Sequence, residues 1–508
     1  MGFYLVVLFT GLYASKKESK QKTSEGLLLA GRRMPAIIGI FTMTATWVGG
    51  GYIIGTSEAV FDTTRGLVWA QAPWGYALSL ILGGLFFAKK MRQYGFTTFL
   101  DVFERRYGKK TASVLFIPAL IGEVFWSAAI LAALGITFAT IFNMDITTAI
   151  VVSSSIAILY TMMGGLWSVA YTDVIQLIFI IVGLGIALPF AFHSIGGLEA
   201  AVAGYRATFT EGLSLIPPLS AFAGNNADWG NSVWTWMDFA LLLILGGIPW
   251  QVYFQRVLSS KDDRSAVRLS VYAGFGCLLM AVPAVLIGIA GTGFDWSTSS
   301  LGAAPSANMI LPYVLLEMTP PIVAALGLGA VAAAVMSSVD SSILSASSMF
   351  TWNIYRPLVN PDASEKTIRM SIRLAVLVIG GVATWLALTV QSVYALWYLC
   401  ADLVYVILFP QLVMALFYKK SNHLGALSGA AVGLVLRLGG GEAIFNLPSF
   451  IPYPMNDPVY GIQFPFRTFA MVMSLFTIVV VSFITSSLID TKGLKKEEKP
   501  APGALKVS

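Results

Sequence analysis

The sequence predicts an all-α polytopic membrane protein of about 13 transmembrane helices, ten of which form two five-helix repeats of opposite orientation. Three observations predict it. Of 508 residues, 56% are hydrophobic and only 11% charged, with a mean hydropathy of +0.76, whereas a soluble domain carries about 25% charged residues. Apolar runs long enough to cross a bilayer, about 20 residues, recur along the whole chain. Two of those runs are interrupted at their centres, and five spans separate the first interruption from the second.

The first interruption is Gly49-Gly50-Gly51, inside the uncharged run Met34–Ile54 and just after Thr44-Ala45-Thr46-Trp47-Val48. Each glycine in a continuous helix costs roughly 1 kcal/mol against alanine. A break at this depth frees backbone carbonyls and amides that lipid cannot satisfy, so it survives where it lines a cavity enclosed by protein. A close helix–helix contact is the other use of such glycines. The second interruption, Leu245-Gly246-Gly247-Ile248-Pro249-Trp250-Gln251, also carries a tryptophan. Paired Gly/Pro breaks in two halves of a chain are the strongest sequence pointer to a binding site at the membrane midplane.

Taken in order, Phe3–Ala14 is apolar but short, and we read residues 1–15 as a shortened first transmembrane helix followed by the basic loop Lys16–Lys22. The remaining spans are expected at about 34–59, 66–88, 113–142, 146–163, 169–192, 234–257, 269–292, 320–345, 371–390, 393–417, 423–440 and 466–488. Residues 34–192 form repeat one and 234–417 repeat two, each with its first helix broken; 193–233 is an extracellular loop, 418–488 holds two additional helices, and 489–508 is a tail. Ile310–Met318, apolar but short and followed by Pro320-Pro321, reads as a re-entrant or surface helix. Basic residues fix the orientation. One set of loops holds Lys16 to Arg33, Lys89 to Lys110, Arg256 to Arg268, Arg356 to Arg373, Lys419, Lys420 and the tail lysines, against Arg65, Arg206 and Arg467 in the other. The first set is therefore cytoplasmic, the N-terminus outside and the C-terminus inside.

Several function classes are excluded. The net charge of +6 sits in short loops and does not suggest nucleic acid. Cys277 and Cys400 lie inside apolar spans and read as packing residues. Two histidines, no phosphate-binding glycine loop with lysine, no metal-ligand spacing and no nucleophile motif argue against an enzyme.

Carboxylates within the membrane default to functional candidates: Glu123, Asp173, Asp238, Asp340 and Asp402. Asp173 and Asp238 fall near expected span ends, where a water-interface position is the alternative, and Arg437 is a partner for one of the acids. The polar stretch Met336-Ser337-Ser338-Val339-Asp340-Ser341-Ser342-Ile343-Leu344-Ser345 suits an oxygen-liganded cation such as Na⁺, although membrane serines also serve close packing. Of the 13 tryptophans, Trp47 and Trp250 stand at the two breaks. Trp126 lies three residues after Glu123 and so on the same helix face, and Tyr76 and Trp397 lie in other repeat spans. A quaternary ammonium has no N–H to donate, and aromatic faces hold it at about 2 kcal/mol or more per desolvated contact.

Carried by Gly39–Tyr52, Ser79–Lys89, Val169–Val174, Leu245–Gln251, Tyr253–Ser260 and Ala334–Ser338, the chain from Phe3 to Ile489 resembles the sodium:solute symporter family, and within it the carriers of choline rather than of sugar or proline. The resemblance implies a leucine-transporter-like inverted-repeat fold and choline import driven by Na⁺ with chloride dependence, supplying acetylcholine synthesis. It implies a multi-pass protein of the plasma membrane, at presynaptic membranes and vesicles of cholinergic neurons. By motif position the sodium site falls on Ala45, Val48, Ala334, Ser337 and Ser338, a second sodium position on Thr46 and Asp340, and the choline cage on Trp47, Tyr76, Trp126, Trp250 and Trp397. Glu123, Asp173, Asp238 and Asp402 are coupling or structural acids. The implied partners are choline, Na⁺, chloride and the lipid bilayer, with no cofactor, and homo-oligomerisation is left open. The alternatives are a same-fold sodium symporter for another small solute and a non-transporting ligand-gated channel or sensor.

Overall fold

The computed structural model describes residues 24–486 except 163–164, 391–392 and 443–444. The expected first helix at 1–15 and the tail at 489–508 lie outside the described residues.

The first broken span is α1 (Ala36–Trp47) and α2 (Gly50–Phe61), bent by 50° at Val48 and Gly49. Next come α3 (Ala72–Leu82), which runs through a π-helical turn at Gly83–Ala88 into Lys89–Gln93, α4 (Lys109–Phe142), α5 (Ile146–Thr161) and α6 (Leu166–His193). The second broken span is α7 (Ser232–Gly246) and α8 (Gln251–Ser259). It is followed by α9 (Asp263–Gly293), α10 (Pro321–Met349, extended by a π-helical turn at Phe350–Val359), α11 (Glu365–Thr389) and α12 (Val393–Leu403, continued by a π-helical turn into Phe409–Phe417). The last two helices are α13 (His423–Gly439) and α14 (Phe466–Thr485).

Among the described residues, eight helices are individually long and apolar enough to cross a bilayer, nine with α1 and α2 taken as one span. The π turn splits the helix of residues 72–93, and α5 and α13 have only 16 and 17 residues, so length and composition alone do not reach the expected count. Ile310–Glu317 is a short helix whose residues are largely buried.

The core follows from which helices are apolar on all sides. Every residue of α10 from Ala330 to Met349 is buried, so its serines face protein and not lipid. It packs between α4 and α6, while α9 packs against α1, α2 and α3. By contrast α14 exposes Val472, Phe476, Phe483 and Ile484, as a helix at the lipid boundary does. It pairs with α13 through Gly425, Gly429 and Gly433, four residues apart, where an added Cβ would stand 2.0 Å from Ser482 Oγ, 2.4 Å from Ile478 Cγ1 and 3.1 Å from Ser474 Cβ. Small residues at this spacing let helix backbones approach closely in a membrane.

Candidate functional site

The site grows from the first break. Val48 leaves helical geometry (φ −84°, ψ 53°) and Gly49 is extended (φ −84°, ψ −176°). These angles suit any residue; the glycines are required by proximity. A Cβ on Gly49 would fall 1.9 Å from Ser338 Oγ, and one on Gly50 would fall 2.2 Å from Val335 Cγ2. The start of α2 is thus pressed onto α10. Both roles weighed for the glycines, a break and a close contact, are realised together.

That approach gathers oxygen atoms. Ser337 Oγ donates to Ala45 O at 2.9 Å and to Ala334 O at 2.8 Å, and Ser338 Oγ donates to Thr46 O at 2.7 Å. Thr46 Oγ1 lies 3.1 Å from Ser341 Oγ. The structure therefore brings Ala45, Ala334, Ser337 and Ser338 into contact, with Val48 at the break beside them. The carbonyl opposite Ser338 belongs to Thr46, which was expected to act through a second position. Carbonyl and hydroxyl oxygens without nitrogen or sulfur are the ligand set of a hard cation. Asp340, one helical turn further, is buried and neither carboxylate oxygen has a hydrogen-bond partner. Thr46 and Asp340 share this neighbourhood, but the threonine hydroxyl is engaged with Ser341.

Sequence reading missed the residue that organises this region. Arg256 was grouped with loop cations, yet it is fully buried in α8. Its Nη2 donates to Ser341 Oγ at 2.7 Å and to Asp173 Oδ2 at 3.4 Å, its Nε to Thr42 Oγ1 at 3.2 Å and its Nη1 to Val252 O at 3.2 Å. Thr42 also donates to Asp173. Asp173 is consequently buried in protein and not at a water interface. The one available signal was the isolation of Arg256 in an otherwise uncharged stretch, Tyr253–Ser260.

Around the tip of the two breaks lies a narrow cavity of about 20 Å³ lined by Trp47, Tyr76, Trp126, Trp250, Val252 and Trp397. The five aromatic residues named from the sequence come together here, from α1, α3, α4, the second break and α12. Ring centroids are 6.1 Å apart for Trp47 and Trp126, 5.6 Å for Trp126 and Trp250, and 5.0 Å for Tyr76 and Trp397. The Trp250 indole N–H is spent on Gly246 O at 2.7 Å, which leaves its π face for the cavity. Val252 is the lining residue not anticipated. Among the described residues no carboxylate, lysine or arginine lines the space, which presents π faces, the Tyr76 hydroxyl and indole N–H groups to a ligand.

The other acids stand apart from the cavity wall. Glu123 accepts from Ser345 Oγ at 2.6 Å, and its second oxygen is buried without a partner. Asp238 is buried, and accepts from Thr468 N at 2.7 Å and Thr468 Oγ1 at 2.6 Å, with Arg467 3.6 Å away. It too is no interface residue; protein from α14 covers it. Asp402 is paired with Arg437 and, at 3.3 Å, with Arg467, and Arg437 also holds Glu442 at 2.5 Å. Asp238 and Asp402 thus fasten α13 and α14 to the bundle.

Phe99 and Phe254 stack with centroids 5.6 Å apart. The segment before α1 is strapped to α8 by Gln255 Nε2 to Leu28 O at 2.9 Å and Met34 N to Ser259 O at 3.0 Å.

With the geometry described, comparison with known proteins is informative. The sequence profile of the sodium:solute symporter family matches residues 27–433. The chain is 50% identical over 505 residues to the high-affinity choline transporter 1 of Torpedo marmorata and 48% identical over 502 residues to that of Homo sapiens, covering 96% of this chain and 85% of each relative. Among solved structures, a Na⁺-coupled sialic acid symporter in a substrate-bound outward-open state superposes with a TM-score of 0.75 at 19% identity, over 98% of both chains. That likeness shows the fold: an all-α, leucine-transporter-like arrangement of membrane helices.

Proposed function

We propose that this chain, which belongs to the sodium:solute symporter family and within it to the high-affinity choline transporters, imports choline by coupling it to Na⁺. It is a multi-pass membrane transporter and not an enzyme. The observation that carries the substrate is the cavity walled by four tryptophans and a tyrosine. A trimethylammonium group offers no N–H, and buried aromatic faces hold it better than hydrogen-bond acceptors do. An amino acid would need a cationic partner for its carboxylate and a sugar many hydrogen-bonding side chains; the lining side chains given are uncharged, and their hydrogen-bonding groups are the Tyr76 hydroxyl and indole N–H groups.

In this reading Na⁺ enters among Ala45, Val48, Ala334, Ser337 and Ser338, whose hydroxyls turn their protons away and present lone pairs. A second ion is placed beside Thr46 and Asp340, whose buried carboxylate has no hydrogen-bond partner. Repeat one (34–192) carries Trp47, Tyr76 and Trp126, and repeat two (234–417) carries Trp250 and Trp397. Rocking of one against the other passes choline from the outside to the cytoplasm, which requires the Phe99–Phe254 stack and the strap at 24–34 to open. The membrane potential adds about 2.3 kcal/mol per charge per 100 mV, for choline and for each Na⁺. Chloride dependence, acetylcholine supply and a presynaptic location belong to the same proposal.

The test is uptake of radiolabelled choline into proteoliposomes with imposed Na⁺, chloride and voltage gradients. Accumulation that needs inward Na⁺ and is blocked by bis-quaternary compounds is expected. Accumulation unchanged without Na⁺ overturns the coupling, and current without accumulation indicates a channel.

A further inference from the structure

A second, larger cavity shares no residue with the cage. It is a groove of about 460 Å³ between α4, the π-helical turn after α10 and α11, bordered by Leu120, Phe350, Tyr355, Met370, Ser371 and Leu374. Its floor is buried protein, Ala375 and Ile379, while Met370, Leu374 and Val378, four residues apart on α11, are 66%, 59% and 56% exposed. Residues at that spacing form one stripe along a helix, so the groove opens sideways, toward lipid.

The lining side chains are uncharged, and basic residues adjoin them along the chain. Arg356, its guanidinium 4.4 Å from the Trp352 ring, follows Tyr355 directly. Lys366 and Arg373 are exposed on the first turns of α11, against Asp362 and Glu365. Tyr355 and Ser371 bring hydroxyls to the lining, Ser371 Oγ 3.3 Å from Thr351 Oγ1. At about 1.5 Å per residue, Met370 to Thr389 spans about 30 Å, the thickness of the hydrocarbon layer. Lys366 and Arg373 therefore bracket the headgroup level, within reach of long side chains that extend toward the interface. Basic pockets between membrane helices on this side suit anionic headgroups.

We propose that the groove is a binding site for an anionic glycerophospholipid, with an acyl chain along Met370, Leu374 and Val378 and its phosphate at Lys366 and Arg373. A sterol would use the apolar walls and leave the cations unused; a partner helix would have to bury them. Leu120 lies one turn before Glu123 on α4, and Phe350 directly follows α10, so an occupied groove braces both helices that carry candidate site residues.

The experiment uses the full chain in nanodiscs of phosphatidylcholine alone or mixed with phosphatidylserine. Retained lipid is read by native mass spectrometry and stability by Tm. The wild type should retain phosphatidylserine in preference and gain Tm from it. Each basic side chain near an anionic surface is worth about fivefold in affinity, so Lys366→Ala/Arg373→Ala should lose about 25-fold in preference. Ala375→Phe, which fills the groove, should lose retention of the bound lipid altogether; if that variant does not fold, the charge pair carries the test. Equal retention of the two lipids by the wild type, an undiminished preference in the double variant, or an equal gain of Tm from cholesterol overturns the proposal.

Discussion

Trp250 is held by its own hydrogen bond to Gly246 O, so its ring is oriented before any ligand arrives. Removing that face by Trp250→Ala should weaken choline binding by about 30-fold, since a desolvated cation–π contact is worth about 2 kcal/mol. Trp250→Phe, which keeps a smaller face, should lose less. Equilibrium binding of labelled choline to purified protein measures both; unchanged affinity in the alanine variant sinks the cage. Gly49 is constrained differently. Gly49→Ala drives a methyl into Ser338, and overpacking of this kind costs about 1–3 kcal/mol. The variant should lose both Tm and Na⁺ affinity. Adding Ser338→Gly makes room and should restore Tm, but not Na⁺ affinity, because the hydroxyl is gone. Recovery of both together would separate Ser338 from the ion.

At the scale of elements, Arg256 is the tie that joins α8 to α1, α6 and α10. Breaking a buried pair from one side costs about 3–5 kcal/mol, because the remaining charge is left alone. Arg256→Met should therefore lower Tm strongly, and Arg256→Met/Asp173→Asn should recover much of the loss without restoring Na⁺-driven uptake. Thermal unfolding of the two purified variants checks this, and an equally stable single variant refutes it. This tie also marks the boundary of what the sequence discloses. Spans were legible because a bilayer demands long apolar runs, the breaks because glycine is costly there, and the aromatic residues because they stand away from the membrane interfaces. Arg256 resembled a loop cation because Lys261 and Arg264 follow closely. Asp173 appeared terminal because α6 was expected to start at 169, whereas it begins at Leu166. The register of α1 on α10, which sets the Thr46 carbonyl against Ser338, depends on tertiary packing that no local pattern encodes. The partners of Arg437, Asp402 and Glu442, are likewise fixed only when α13 closes on the bundle.

For the whole molecule, the decisive feature is that the oxygens proposed for the ion and the proposed cage meet in one short segment. Ala45 and Thr46 turn their carbonyls to the serines of α10, and the next residue, Trp47, turns its ring into the cavity. An ion that fixed the backbone of this segment would fix the Trp47 ring with it, so under the proposed function each ligand would bind a site ordered by the other. Linkage then requires the effect to be mutual: if Na⁺ raises choline affinity by some factor, choline raises Na⁺ affinity by the same factor, typically about 5–150-fold. Choline affinity measured with Na⁺ and with Na⁺ replaced by an inert cation, and Na⁺ affinity with and without choline, should give one common factor. Ser338→Ala should shrink that factor in both directions while leaving choline binding in the absence of Na⁺ unchanged, since Ser338 does not line the cavity. A factor untouched by the substitution would mean that the coupling runs through the acids about Arg256 and not through the break.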